Sequence, residues 1–217
     1  MSANHTVIFD LDGTLIDSAL GIIAAFSAVL AAHQIQPRVP LNDSLIGPPL
    51  AETLTRLTGE TDGARLAQLT EDFKAAYDGD GVNATAAYAG VDALLEKLVA
   101  RQQRLFVATN KRIAPTRAIV ERLHWSAHFS SLYALDLYQP RLPDKGALLA
   151  RLLMEQNLSP AVCIYIGDKH EDGHAADSND IAFVAAHWGY GDFVSSDCPS
   201  HWRHAATPAE LLELLIA

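Results

Sequence analysis

The run Thr6-Val7-Ile8-Phe9-Asp10-Leu11-Asp12-Gly13-Thr14 decides the fold. Its first four residues are β-branched or aromatic, with no charge among them. That is the pattern of a short strand buried on both faces. Two aspartates follow, one residue apart, and Gly13 supplies a turn. In open α/β sheets, ligands bind beyond the carboxyl ends of the strands. A strand over Thr6 to Phe9 therefore predicts an α/β protein with a polar site at Asp10 and Asp12.

Working outward, Asp17-Ser18 offers N-cap chemistry for a helix to about His33, and Pro37 and Pro40 end it. From there to about Ala86 the pattern is helical with polar faces. It is broken at Gly47-Pro48-Pro49 and at Asp78-Gly79-Asp80-Gly81, and it contains no convincing strand. Past Gly90 the rhythm changes. Helices are predicted over Val91 to Ala100, Pro115 to Leu123, Lys145 to Gln156, Glu171 to Ser178 and Pro208 to Ile216. Strands are predicted over Arg104 to Ala108, Ser131 to Leu135, Val162 to Ile166 and Ile181 to Ala186. Strands alternating with helices give a parallel sheet covered on both faces. A core of residues 1–16 and 86–217 is thus interrupted, after its first strand, by a helix-only insert of residues 17–85.

More polar groups fall near later strand ends. Thr109 and Asn110 follow the second core strand, Lys145 opens a helix, and Gly167-Asp168 follows a later strand with Asp172 four residues on. Asp10, Asp168 and Asp172 are hard oxygen ligands of the kind that suit Mg²⁺. Such a cation lets several carboxylates share one site without mutual repulsion. Thr109 and Lys145 can hold phosphate oxygens, and the backbone amides of the Asp12-Gly13 turn add further donors.

These residues resemble a known family. Asp10-Leu11-Asp12-Gly13-Thr14 looks like the DxDGT motif of the haloacid dehalogenase superfamily, and Val107-Ala108-Thr109-Asn110-Lys111 looks like its Ser/Thr motif. Lys145 fits its lysine motif, and Gly167-Asp168-Lys169-His170-Glu171-Asp172 its GDxxxD motif. The resemblance implies a Rossmann-like core with a helical cap inserted after the first strand. Ile46-Gly47-Pro48-Pro49-Leu50, Tyr88-Ala89-Gly90-Val91 and Trp188-Gly189-Tyr190-Gly191 look like the phosphoglycolate-phosphatase-like branch. The chain departs from the pattern twice: Gly146 stands where proline usually follows the lysine, and Asp180 where glycine is usual after GDxxxD.

By the same resemblance Asp10 is the nucleophile of a Mg²⁺-dependent phosphatase and Asp12 its general acid and base. Asp10, Asp12 (through its carbonyl) and Asp168 would bind Mg²⁺, with Asp172 in support. Thr109, Asn110, Lys145 and Gly13 would bind the transferring phosphoryl group, with Lys111 as a rival to Lys145. A side chain such as Asp12 can protonate a leaving alkoxide and later deprotonate water. Phosphate-ester hydrolysis or phosphomutase chemistry follows. The substrate stays open among 2-phosphoglycolate, pyrophosphate, a nucleoside monophosphate and a sugar phosphate.

Composition narrows the partners. Lys and Arg number 16 against 26 Asp and Glu, a formal net charge of −10, and no basic run of five or more residues occurs. Nucleic-acid and acidic-membrane binding lack electrostatic support. The two cysteines, Cys163 and Cys198, form no framework, and the N-terminal stretch carries no basic leader. The expectation is a cytoplasmic monomer or homodimer acting on a small phosphorylated metabolite. One motif competes: His170-Glu171-Asp172-Gly173-His174 matches HExxH, a zinc-protease signature. It contains a glycine and overlaps GDxxxD, so both histidines are expected to be surface helix residues.

Overall fold

The computed structural model describes residues 6–191, 193 and 197–216. The chain divides into two compact units, with boundaries at Asp17/Ser18 and Ala86/Ala87.

The larger unit is built on strand β1 (Thr6–Phe9). The chain leaves it through β2 (Ile16–Asp17) and returns through β3 (Ala86–Ala87), and these two pair as a separate two-stranded ribbon. Beyond the ribbon, strands β4 (Leu105–Thr109), β5 (Ser131–Ala134), β6 (Cys163–Gly167), β7 (Ala182–Ala186) and β8 (Arg203–Ala205) join β1 in one sheet. Its order is β5-β4-β1-β6-β7-β8 and every pairing is parallel. In chain order within the sheet this is 3-2-1-4-5-6, the doubly wound arrangement. The chain builds outward from β1 in one direction, then returns to start again at β6. The switch point lies between β1 and β6, where open α/β sheets bind their ligands.

β1, β4 and β6 are buried along their whole length. This is why Thr-Val-Ile-Phe, Leu-Phe-Val-Ala-Thr and Cys-Ile-Tyr-Ile-Gly read as continuous apolar runs rather than alternations. Ile8, Phe106, Tyr165 and Phe183 form one core cluster with Leu148, Leu149, Leu152 and Trp202. Register aligns Phe9 with Val107 on one side and Ile166 on the other, and the amide of Asp10 donates to Ile166 O at 2.8 Å. Asp10 therefore emerges at the level where β6 gives way to Asp168.

The smaller unit holds α1 (Ala19–Ala32), α2 (Leu50–Thr58) and α3 (Gly63–Ala76). Ser18 stands at the N-cap of α1 without a side-chain cap bond. The expected break at Asp78-Gly79-Asp80-Gly81 is not there, because Tyr77–Gly81 continues α3 as a π-helical turn. Packing overrides the glycines. Tyr77 stacks on Phe73 at 5.9 Å, Phe73 meets Phe26 of α1 at 4.4 Å, and both tyrosine and Phe26 are buried. Gly81 lies against α1 so closely that a Cβ on Gly21 would stand 2.2 Å from Gly81 O.

The remaining helices are α4 (Val91–Ala100), α5 (Ile113–Arg122), α6 (Lys145–Gln156), α7 (His170–Asp177) and α8 (Pro208–Ile216). Two further expectations need correction. Arg203–Ala205 is a sixth strand that its polar sequence hides, formed because its backbone pairs with β7. Thr109 is the last residue of β4 rather than the first beyond it. The departure at Asp180 leaves its turn intact: Asp180 takes the left-handed conformation at φ 56°, which aspartate tolerates better than most residues.

Candidate active site

Four sequence segments converge at the carboxyl end of the sheet. Asp10 and Asp12 follow β1, Thr109 ends β4, Lys145 opens α6, and Asp168 and Asp172 flank the start of α7. Asp144 fixes Lys145 by capping α6, accepting from the amide of Ala147 at 2.8 Å. Asp172 fixes α7, its Oδ2 accepting from the amide of Lys169 at 3.0 Å.

Asp10, Asp168 and Asp172 are buried, with one oxygen of each within 4.8 Å of the others. The ammonium of Lys145 is 3.0 Å from Asp10 Oδ1 and also donates to Asp172 Oδ1. The hydroxyl of Tyr165, inside β6, lies 3.2 Å from the same Asp172 oxygen and 3.0 Å from Ala108 O. Both oxygens of Asp172 are thus engaged by protein donors. Asp168 differs: its Oδ2 accepts from the amide of Tyr190 at 2.8 Å, while its buried Oδ1 has no hydrogen-bond partner.

The electrostatics follow from this crowding. Burial pushes Asp10 up to about 8, against the pull of Lys145 and helped by Asp172, Asp168 and Asp12. Burial and Asp172 push Asp168 up to about 6, with Lys169 and Lys145 opposing. Burial also works against the charge on Lys145, but Asp10 and Asp172 outweigh it and hold the ammonium well above its ordinary range. One lysine cannot neutralise three buried carboxylates. A buried carboxylate oxygen without a donor, in a set of hard oxygen groups that resist ionising together, fits a divalent cation.

Asp12 stands outside that set. It is only partly buried, and Lys111 Nζ lies 2.9 Å from its Oδ1 and 3.2 Å from its Oδ2. Thr109 is buried, and its Oγ1 accepts from the amide of Lys111 at 3.1 Å. This bond holds Thr109 and Lys111 in one turn. Asn110 is turned to α7, donating to Glu171 Oε1 at 3.2 Å. Gly13 adopts φ +87°, and a Cβ there would stand 2.1 Å from Asp168 Oδ2, so only glycine lets the two loops meet. Its amide donates to Ile16 O at 2.9 Å. Within the turn, that donor is taken by the Ile16 carbonyl.

Sequence reasoning passed over Tyr165, quoted Tyr190 only as part of a family-like segment, and took Lys111 only as a rival phosphate anchor. A tyrosine in an otherwise apolar buried strand was the available signal for Tyr165, because a buried phenol needs a partner. The HExxH residues lie on α7 from its first residue, with His170 half-buried and His174 exposed. Apart from Asp10, Asp168 and Asp172, no group of three metal-ligating side chains forms among the described residues. Nor is any described helix long and apolar enough to cross a membrane.

The family profile for haloacid dehalogenase-like hydrolases matches residues 7–186. Over 218 residues the chain is 31% identical to a phosphoglycolate phosphatase of Cereibacter sphaeroides, covering 97% of this chain and 99% of that one. It is 31% identical over 199 residues to a 5'-nucleotidase of Pseudomonas aeruginosa, covering 90% and 89%. It is 34% identical over 214 residues to the tyrosine-protein kinase PtkA of Mycobacterium tuberculosis, covering 96% and 72%. The solved structure of that protein superposes with a TM-score of 0.79 at 29% identity, covering all of both chains.

Proposed function

The chain belongs to the haloacid dehalogenase-like hydrolases, in the phosphoglycolate-phosphatase-like branch, and from that premise we propose that it hydrolyses a small phosphomonoester through a phospho-aspartate on Asp10. The observation that carries the proposal is the division of labour between two aspartates one residue apart. Asp10 is buried beside Asp168, Asp172 and Lys145. Asp12 is partly buried and pairs instead with Lys111.

A carboxylate oxygen of Asp10 attacks phosphorus and the ester P–O bond breaks. Asp12 gives its proton to the departing oxygen. Asp12 then takes a proton from water as that water attacks the acyl phosphate, which frees Asp10 and releases inorganic phosphate. Lys145 and the Thr109 hydroxyl hold the equatorial oxygens, where charge accumulates. Asp10 and Asp168 would hold Mg²⁺, with Asp172 orienting Lys145 beside them; when bound, the ion neutralises charge on the phosphoryl group. The substrate class we favour is phosphoglycolate-like, with a nucleoside monophosphate second on the strength of the nucleotidase relative.

Asp12→Ala with an aryl phosphate tests the mechanism. The good leaving group needs little protonation, so phosphorylation of Asp10 survives while its hydrolysis loses a base that contributes about 10²–10⁴-fold. A burst of phenolate is expected, with a phosphoryl group on the Asp10 peptide in rapid-quench mass spectrometry. If no phosphoenzyme accumulates and alkyl and aryl esters slow equally, water attacks phosphorus directly and Asp12 has another role.

A further inference from the structure

The segment Trp188-Gly189-Tyr190-Gly191, which follows β7, is laid directly on Asp168. The amide of Tyr190 donates to Asp168 Oδ2 at 2.8 Å. Glycine flanks it on both sides because backbone fills the space. A Cβ on Gly191 would stand 1.5 Å from Asp168 O, and one on Gly189 would stand 2.0 Å from Gly13 O. Trp188 Nε1 adds a tie to Thr14 O at 2.9 Å.

The side chain of Tyr190 reaches elsewhere. Its hydroxyl donates to Asp17 Oδ1 at 2.7 Å, and its ring meets Tyr88 edge-on at 6.4 Å between centroids. Asp17 ends β2, where the chain leaves the core. Tyr88 follows β3, where the chain comes back, and its amide donates to Leu15 O at 3.1 Å. Strands of two residues each cannot hold a ribbon together unaided. The ribbon therefore depends on outside contacts such as this side chain. The same residue's backbone sets the plane of the Asp168 carboxylate and so aims Oδ1, the oxygen without a hydrogen-bond partner.

We infer that Tyr190 is a positioning residue that couples the two crossings of the core boundary, at Asp17 and Tyr88, to the cation-holding carboxylate of Asp168. The inference rests on the metal-dependent function proposed above. Removing the hydroxyl alone leaves the ring, the glycines and the amide in place. It frees the loop on its outer side and lets the Asp168 carboxylate swing.

Mn²⁺ is the probe, because its binding to hard oxygen ligands is read directly by electron paramagnetic resonance. The full chain is compared with Tyr190→Phe, Asp17→Ala and the double variant, alongside metal-free melting temperatures. Tyr190→Phe is expected to weaken Mn²⁺ by about tenfold, the lower end for losing a group that orients a metal ligand. Asp17→Ala should also weaken it, and the double variant should be no weaker than Tyr190→Phe, since the hydroxyl–Asp17 bond is lost in both. Metal-free melting should stay within about 2 °C, as an exposed hydrogen bond contributes little. Unchanged affinity in Tyr190→Phe, additive losses, or a lower melting temperature with affinity intact would each overturn the coupling. Absence of Mn²⁺ binding by the unaltered chain would overturn the metal-dependent function itself, a failure visible before any variant is made.

Discussion

The ammonium of Lys111 lies 2.9 Å from Oδ1 and 3.2 Å from Oδ2 of Asp12, gripping both carboxylate oxygens. Lys145, at the start of α6, takes Asp10 at 3.0 Å and Asp172. The two cations pair with different aspartates. One belongs to the buried cluster and the other to the aspartate that stands outside it.

Lys145→Met should cut kcat/KM by about 10²–10³-fold, the usual cost of removing a donor aimed at transition-state charge. On the proposed roles, Lys111→Met should cost less, about tenfold, because its ammonium grips Asp12 while Lys145 holds the phosphoryl group. Steady-state rates with an aryl phosphate decide it. A larger loss at Lys111 would transfer the phosphoryl-binding role to that residue.

Metal removal should give stability an unusual pH dependence. Asp10 and Asp168 are pushed up, to about 8 and about 6, so the folded state without metal holds protons that the unfolded chain has released. Stability is then full below the ordinary carboxylate range and is lost as pH rises toward 8, by a little over ~1 kcal/mol per pH unit for each retained proton. Urea midpoints in chelator should fall from about pH 5 to about pH 8. Added Mg²⁺ should flatten the fall, because the cation replaces the protons, and Asp10→Asn should flatten it without metal. A midpoint in chelator that rises over that range contradicts the cluster's electrostatics.

Gly173→Ala should destabilise the fold although it sits inside a helix. Alanine normally gains about 1 kcal/mol over glycine there. Here a Cβ would stand 2.2 Å from Cζ2 and 2.3 Å from Cη2 of buried Trp202, whose indole is tied to Asp177 at 3.0 Å. Overpacking costs about 1–3 kcal/mol and outweighs the propensity gain. Chemical denaturation measures the sum, and a more stable variant would show that Trp202 yields easily.

His174→Ala should leave turnover within about threefold, under ~1 kcal/mol of barrier. The imidazole is exposed on α7 and packs edge-on to Trp202 at 5.4 Å. A hundredfold loss would restore the histidine pair to the chemistry.

Most of the sheet could be read from local sequence because buried parallel strands carry unbroken apolar runs, as in β1, β4 and β6. Lys145–Gln156 and Pro208–Ile216 fall where their periodicity and caps put them. The failures share a cause. Arg203-His204-Ala205 has no strand-like pattern and becomes an edge strand only because β7 offers it hydrogen bonds. Asp78-Gly79-Asp80-Gly81 looks like a break, yet the Phe73 and Tyr77 stack carries the helix through it.

By itself, the sequence determined which side chains stand at strand ends, because a turn glycine and a short apolar strand fix Asp10, Asp12, Thr109 and Asp168 locally. It also determined the family, through motifs whose order and spacing survive in one dimension. Only the tertiary structure decided which lysine pairs with which aspartate, and that Tyr190 reaches both Asp168 and Asp17. Those pairings span up to 173 residues of chain. They depend on strand order and register, which arise from packing the whole sheet rather than from any single segment.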